Sequence, residues 1–251
     1  MKPPYHFDKR RKLALPGDAE ETLAFAVENW IEIAEESIQD HSFFAVALSG
    51  GSTPKKIFQE LVRKKERVDW EHVYLFWSDE RNVVPSSEES NYHMAMEEGG
   101  LKNLPIPNNQ IFRMVAEEDL ENNALAYEKL ILEKLGTHPF DLVMLGMGDD
   151  GHTASLFPHT KALSEEHRLV VPNFVPQKNT WRMTFTYTCI NRARHISIYV
   201  MGAAKSEVLE QVLISPLNPE TYPSQKIGTE RSPALWIVDT TAGAVLAAHL
   251  P

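Results

Sequence analysis

One histidine stands in the segment Leu145-Gly146-Met147-Gly148-Asp149-Asp150-Gly151-His152-Thr153-Ala154-Ser155-Leu156-Phe157-Pro158. An apolar run over 140–145 leads into three glycines, which deliver two aspartates and His152 past the end of a predicted strand. In an open α/β sheet that edge is where ligands bind. Imidazole titrates near neutral pH, so His152 could take a proton from water or a substrate hydroxyl. It could also be a structural histidine bonded to backbone. Asp149, Asp150, His152 and His159 offer ligand atoms, but there is no His-x-x-x-His helix and no cysteine partner, so no metal is expected.

Four other stretches could hold an anion. Ser49-Gly50-Gly51-Ser52-Thr53-Pro54 follows an apolar strand. Its glycines let backbone approach a ligand closely, Thr53 can cap the next helix and Pro54 fits the first turn. A helix start of that kind suits phosphate, although a tight strand-to-helix turn needs the same residues. The stretch lacks the Gly-Lys-Ser/Thr of a Walker loop and the third glycine of a dinucleotide fingerprint. Trp77-Ser78-Asp79-Glu80-Arg81-Asn82 closes the next strand. There Arg81 could clamp a phosphate and Asp79 could orient a hydroxyl or water. In Met201-Gly202-Ala203-Ala204-Lys205, the lysine sits against the positive end of a helix dipole, a placement that a bound anion would reverse in sign. Arg182 opens a further strand, where an edge charge is the plainer explanation.

The elements that must position these residues follow from hydrophobic period. Helices are predicted over 18–40, 54–65, 91–98, 120–135, 203–213 and 241–248, and strands over 43–48, 73–77, 111–115, 140–145, 182–188, 195–201 and 235–238. Their alternation predicts an α/β fold with a mostly parallel sheet covered by helices on both faces. The candidate residues each fall just past a strand or at the following helix start, so the sheet would gather them along one edge. Residues 215–233 carry four prolines and form a long irregular stretch, either a substrate wall or lid or a packed surface excursion.

At 251 residues the chain can bury a full core, and with no composition shift it is expected to be a single domain, 1–251. A net charge of −10 opposes binding to nucleic acid or an anionic membrane. Lys9-Arg10-Arg11-Lys12 is expected to be a solvated turn. A single cysteine, Cys189, excludes an internal disulfide and is expected to be a buried small residue. No signal peptide and no apolar run of roughly 20 residues is visible, so a cytoplasmic protein is expected.

Ser49-Gly50-Gly51-Ser52-Thr53-Pro54, Ser78-Asp79-Glu80-Arg81, Glu89-Ser90-Asn91-Tyr92 and the segment from Gly146 to Pro158 together resemble the motifs of the 6-phosphogluconolactonase family. Arg182-x-Thr-x-Thr and Gly202-x-x-Lys205 extend the likeness, which covers about 19–248. The glycine motif alone is shared with glucosamine-6-phosphate deaminase/isomerases. The resemblance implies a Rossmann-like sheet, no metal or organic cofactor, and hydrolysis of 6-phospho-D-glucono-1,5-lactone in the oxidative pentose phosphate pathway. It implies His152 as the base that activates water, with Asp150 and Asp79 beside it. Asp150 is expected to orient His152 or a sugar hydroxyl. Gly50, Gly51, Ser52, Arg81, Arg182 and Lys205 are implied as the phosphate site. The implied partner is a small sugar-phosphate lactone, bound by a monomer or small homo-oligomer.

Two alternatives differ at named residues. A deaminase/isomerase is expected to carry a carboxylate soon after the histidine, where this chain has Ser155-Leu156-Phe157-Pro158, and Asp-Glu-Tyr in place of Asp79-Glu80-Arg81. A non-catalytic sugar-phosphate binding protein of this type usually carries a helix-turn-helix, for which the acidic segment before Phe43 is too short.

Overall fold

The computed structural model describes residues 4–249. In chain order its strands are β1 (Tyr5–His6), β2 (Arg11–Ala14), β3 (Phe44–Leu48), β4 (Val73–Trp77), β5 (Asp79–Arg81), β6 (Leu142–Gly146), β7 (Val170–Val175), β8 (Thr180–Phe185), β9 (His195–Val200) and β10 (Ala234–Val238). Its α-helices are α1 (Ala19–His41), α2 (Ser52–Arg63), α3 (Asn91–His93), α4 (Leu120–Leu135), α5 (Tyr187–Ile190) and α6 (Ser206–Leu213). Seven strands form the main sheet in the order β1-β2-β10-β9-β6-β3-β4. Only the β1–β2 pair is antiparallel. Every residue of β3 is buried, as are the first four of β6, which requires cover on both faces of the sheet.

Local chemistry sets the long elements. Asp18 and Glu21 form a reciprocal capping box at the start of α1, with Asp18 accepting from the N–H groups of Glu20 and Glu21 and Glu21 accepting from that of Asp18. The buried face of α1 carries Phe25, Trp30, Ile33 and Ala34, and Trp30 meets Phe44 of β3 edge-to-face at 5.0 Å.

Strand order matters most for function. From β3 the chain crosses to β4 on one side, and β6 later returns on the other side. The boundary between β3 and β6 is therefore a topological switch point, where the loops leaving adjacent strands part and open a crevice. Those two loops are the Gly50 and Gly148 loops. A second, antiparallel sheet, β5-β8-β7, closes one side. Ser78 joins the two sheets: its N–H donates to Leu48 O and its carbonyl accepts from Phe185 N–H, both at 2.8 Å.

Several local expectations are corrected. The stretch 111–115 forms only one bridge, Leu75 to Ile111. The Phe112 carbonyl then accepts the Tyr127 hydroxyl at 2.8 Å, turning the chain toward α4. The strand expected over 182–188 stops at Phe185, because Thr186 caps α5 by accepting Cys189 N–H. Thr53 is not the cap: α2 begins two residues earlier than predicted, at Ser52, with Gly51 as N-cap. Arg11 and Lys12 are not a solvated turn but part of β2, beside β10, with Arg11 paired to Asp8 at 2.5 Å. The helix over 91–98 is a short α-turn continued by a π-helical turn, Met94–Glu98, and 203–205 is a 3₁₀ turn ahead of α6. A 3₁₀ helix, Ala242–His249, stands where the closing helix was expected. Within 215–233, Ser224 and Gln225 are buried, and both the N–H and hydroxyl of Ser224 donate to Gly151 O. That stretch is pinned beneath the histidine loop.

Candidate active site

The C-terminal ends of β3, β6 and β9, with β5 and β8 of the second sheet, enclose a cavity of about 230 Å³. Gly50, Gly51, Ser52, Asp79, Arg81, His152, Arg182 and Lys205 all line it. Asp150 stands behind His152.

The histidine loop is a tight turn: Gly148 N–H donates to His152 O and Gly151 N–H to Gly148 O. A Cβ at Gly148 would lie 2.0 Å from His152 Nδ1, so only glycine leaves room for the ring. His152 Nδ1 is 2.5 Å from Asp150 Oδ1, and the same oxygen accepts the His152 backbone N–H at 3.1 Å. Phe157 stacks on the imidazole at 3.8 Å between centroids and 16° between planes. Burial pushes the Asp150 carboxyl up, but the hydrogen bond and charge of His152 outweigh it and hold it below the usual carboxylate range. An ionised Asp150 beside Nδ1 selects the tautomer with the proton on Nδ1 and leaves Nε2 as the acceptor.

The opposite wall is cationic. In the β5–β8 ladder Arg81 lies directly across from Arg182. Like charges in that register repel, which a bound anion would offset as Asp79 does beside Arg182. The Nε of each arginine is buried and has no hydrogen-bond partner. Arg81 Nη1 donates to Glu89 O, and Arg182 Nη1 lies 4.0 Å from Asp79 Oδ2. Burial and the neighbouring Arg81 pull the Arg182 guanidinium down while Asp79 pushes it up, and a guanidinium keeps its charge throughout. Lys205 Nζ donates to Asp149 Oδ1. Gly51 and Ser52 bring to the same cavity the start of α2, whose first N–H groups lack intrahelical partners.

Carboxylates brace this wall from behind. Asp79 is buried; its Oδ1 accepts from Asn91 Nδ2 at 3.1 Å and its Oδ2 from Ser155 Oγ at 2.7 Å. It thereby ties β5 to α3 and to the histidine loop. Glu80 accepts from Ser90 Oγ and from the N–H groups of Arg81, Asn91 and Tyr92. Burial nevertheless pushes its carboxyl up against those four donors. A Cβ at Gly50 would sit 2.0 Å from Asn91 Oδ1, so the Gly50 loop and the brace fit only without a side chain there.

The structure adds residues that motif spacing left without a role. Asn91 lines the cavity while holding Asp79, and Tyr199 and Met201 line it from the end of β9. Their position at a strand terminus was the available signal. Asp149, considered only as a metal ligand, is instead the partner of Lys205. Among the described residues, Asp149, Asp150, His152 and His159 do not gather into a metal-sized group.

A parallel sheet with an imidazole–carboxylate pair and a cationic wall at its switch point has the make-up of an α/β enzyme for a small anionic substrate. The family of glucosamine-6-phosphate isomerases/6-phosphogluconolactonase matches residues 17–236, and the chain belongs to it. It is 41% identical over 235 residues to the 6-phosphogluconolactonase of Chlamydia pneumoniae, covering 93% of this chain and 90% of that one. It is 42% identical over 230 residues to that of Chlamydia muridarum, covering 91% and 88%. Among solved structures, 6-phosphogluconolactonase from Trypanosoma cruzi superposes with a TM-score of 0.82 at 29% identity, over 97% of this chain and 99% of that one.

Proposed function

We propose that this chain hydrolyses 6-phospho-D-glucono-1,5-lactone to 6-phospho-D-gluconate, a step of the oxidative pentose phosphate pathway. One observation carries the proposal. The opposed Arg81 and Arg182, each with an unpartnered buried Nε, share a cavity with the His152–Asp150 pair. A phosphate in that cavity offsets the two facing guanidinium charges, and the imidazole supplies the base that a lactone requires.

The 6-phosphate is held by Arg81, Arg182, Lys205 and the Gly50-Gly51-Ser52 backbone. This anchors the sugar without touching the reacting carbon. His152 Nε2 takes a proton from water as its oxygen attacks C1. The resulting alkoxide needs hydrogen-bond donors. Gly148 and Gly151 spend their N–H groups inside the histidine turn, so neither of them is that donor. Collapse breaks the bond from C1 to the ring oxygen, and the imidazolium returns its proton to that oxygen. Asp150 holds the ring and stabilises its charged form. Asp79 positions Arg182, Asn91 and Ser155 rather than exchanging a proton. A lactone is an activated ester, so general-base help of roughly 10²–10⁴-fold suffices and no covalent intermediate is invoked.

Ser155-Leu156-Phe157-Pro158 offers no carboxylate, and the Ser155 hydroxyl is committed to Asp79, which disfavours a deaminase/isomerase proton relay. The acidic net charge, the buried Cys189 and a freely diffusing substrate fit a cytoplasmic enzyme built as one domain, monomeric or in a small homo-oligomer. Among the described residues no helix is long and apolar enough to cross a membrane.

The test is a coupled assay. Freshly generated lactone is supplied with 6-phosphogluconate dehydrogenase, and NADPH formation is followed with and without the chain. Acceleration above spontaneous hydrolysis, with no ammonia released from glucosamine 6-phosphate, is expected. Deamination without lactone hydrolysis would reverse the assignment.

A further inference from the structure

We infer a second site, for a divalent cation of the zinc type, held by His41, His138 and Asp141 at the end of the sheet remote from the cavity. One ligand atom from each residue lies within 4.8 Å of the other two. His41 is the last residue of α1, His138 lies between α4 and β6, and Asp141 immediately precedes β6. The five residues of β6 separate this cluster from the Gly148 loop, roughly 16 Å of strand.

The carboxylate is the central observation. Asp141 is fully buried. Its Oδ2 accepts Ala45 N–H at 2.9 Å, but its Oδ1 has no hydrogen-bond partner. A buried carboxylate oxygen left without a hydrogen-bond donor is costly unless a cation meets it, and the Arg194 guanidinium, 3.7 Å away, now partly does so. His41 Nε2 stands 3.2 Å from each Asp141 oxygen. Zinc bonds of about 2.0–2.1 Å in a tetrahedron hold donors about 3.3–3.4 Å apart, so this pair already has the required separation. His138 completes the set, with a ligand atom within 4.8 Å of the other two, and water would take the fourth position.

Both imidazoles have their other nitrogen engaged, as metal-binding histidines do. His138 Nδ1 donates to Pro139 O at 2.7 Å, which leaves Nε2 as its lone pair. His41 Nδ1 lies 3.3 Å from Asp40 Oδ2, forming a carboxylate–histidine–metal relay. The two rings contact each other at 4.3 Å, and Phe43 packs edge-on against both. Two imidazoles and one carboxylate suit zinc or cobalt, whereas calcium and magnesium require more oxygens.

Arg194 is the competing cation. Its Nη1 is 3.0 Å from Asp40 Oδ2, 3.2 Å from His41 Nδ1 and 3.7 Å from Asp141 Oδ1. Its closer carboxylate is Asp40, and its longer ion pair with Asp141 is the contact that a bound metal would replace. The metal-free arrangement would reverse the His41 tautomer, with Nδ1 accepting from Arg194 and Nε2–H donating to Asp141. A metal here would join the end of α1 to the start of β6 and the loop before it. It would stabilise the fold without entering the lactone chemistry.

The test titrates the metal-stripped full chain with Co(II) and Zn(II) chloride, following visible d–d absorption, calorimetry and the thermal midpoint. One Co(II) per chain in a tetrahedral field and a Zn(II)-dependent rise in midpoint are expected. Binding should weaken at least tenfold in His138→Ala and in His41→Gln, two independent variants in case one folds poorly. It should persist in His152→Ala. No saturable binding, binding unchanged in both cluster variants, or binding lost in His152→Ala would each overturn the site.

Discussion

The proposal rests the chemistry on His152, whose ring is held by Asp150 and stacked on Phe157. Its place on a strand-end loop was legible because glycines, aspartates and an imidazole cluster in a few positions. Its tautomer was not, since that depends on the 2.5 Å contact with Asp150. The depressed Asp150 carboxyl gives a signed prediction. Its contribution to stability is present above the ordinary carboxylate range and is lost as pH falls through the depressed folded value. The gap in thermal midpoint between wild type and Asp150→Asn should therefore be widest near neutrality and shrink in acid. A gap independent of pH would contradict the charged pair. The phosphate wall makes a second prediction: Arg81→Ala should raise KM for the phosphorylated lactone tenfold or more and leave the unphosphorylated lactone nearly unaffected. Equal losses on both substrates would argue against the anchor. Asp79 marks a limit of motif spacing. Its sequence position allowed it to orient a hydroxyl or water, whereas its hydrogen bonds to Asn91 and Ser155 could not be read from spacing.

Among elements, legibility followed length and apolarity. The predicted spans of β4 and α4 match the structure, because a continuous apolar run and a long 3.6-residue period leave few alternatives. Of the second sheet only β8 was legible, as the strand expected over 182–188. Its β5 is the three polar residues Asp79–Arg81, and β7 contains Pro172, so neither carries a strand signature of its own. Both exist through pairing with β8, roughly a hundred residues from β5. That pairing sets Arg81 against Arg182, the feature that most strongly indicates an anion. The Gly50 loop shows how tightly elements mesh around it. Gly50→Ala should displace Asn91 and loosen the Asp79 brace, cutting kcat/KM by tenfold or more. A variant that folds normally and keeps wild-type kcat/KM would show that the close approach to Asn91 is dispensable.

At the scale of the whole molecule, alternation of strands and helices announced a parallel sheet but not its strand order. The order places β3 beside β6 and so brings together two glycine loops about a hundred residues apart. Ser78, Ser155 and Ser224 then tie that edge to the second sheet and to the proline-rich stretch. A chain of net charge −10 thus presents a cationic wall where the loops meet, facing one imidazole. The most direct test of the account is the coupled lactone assay on His152→Ala, paired with calorimetric binding of 6-phosphogluconate. A kcat lowered by roughly 10²–10⁴-fold with product affinity within a few-fold of wild type is predicted. A variant that hydrolyses the lactone at near wild-type rate would remove His152 as the base.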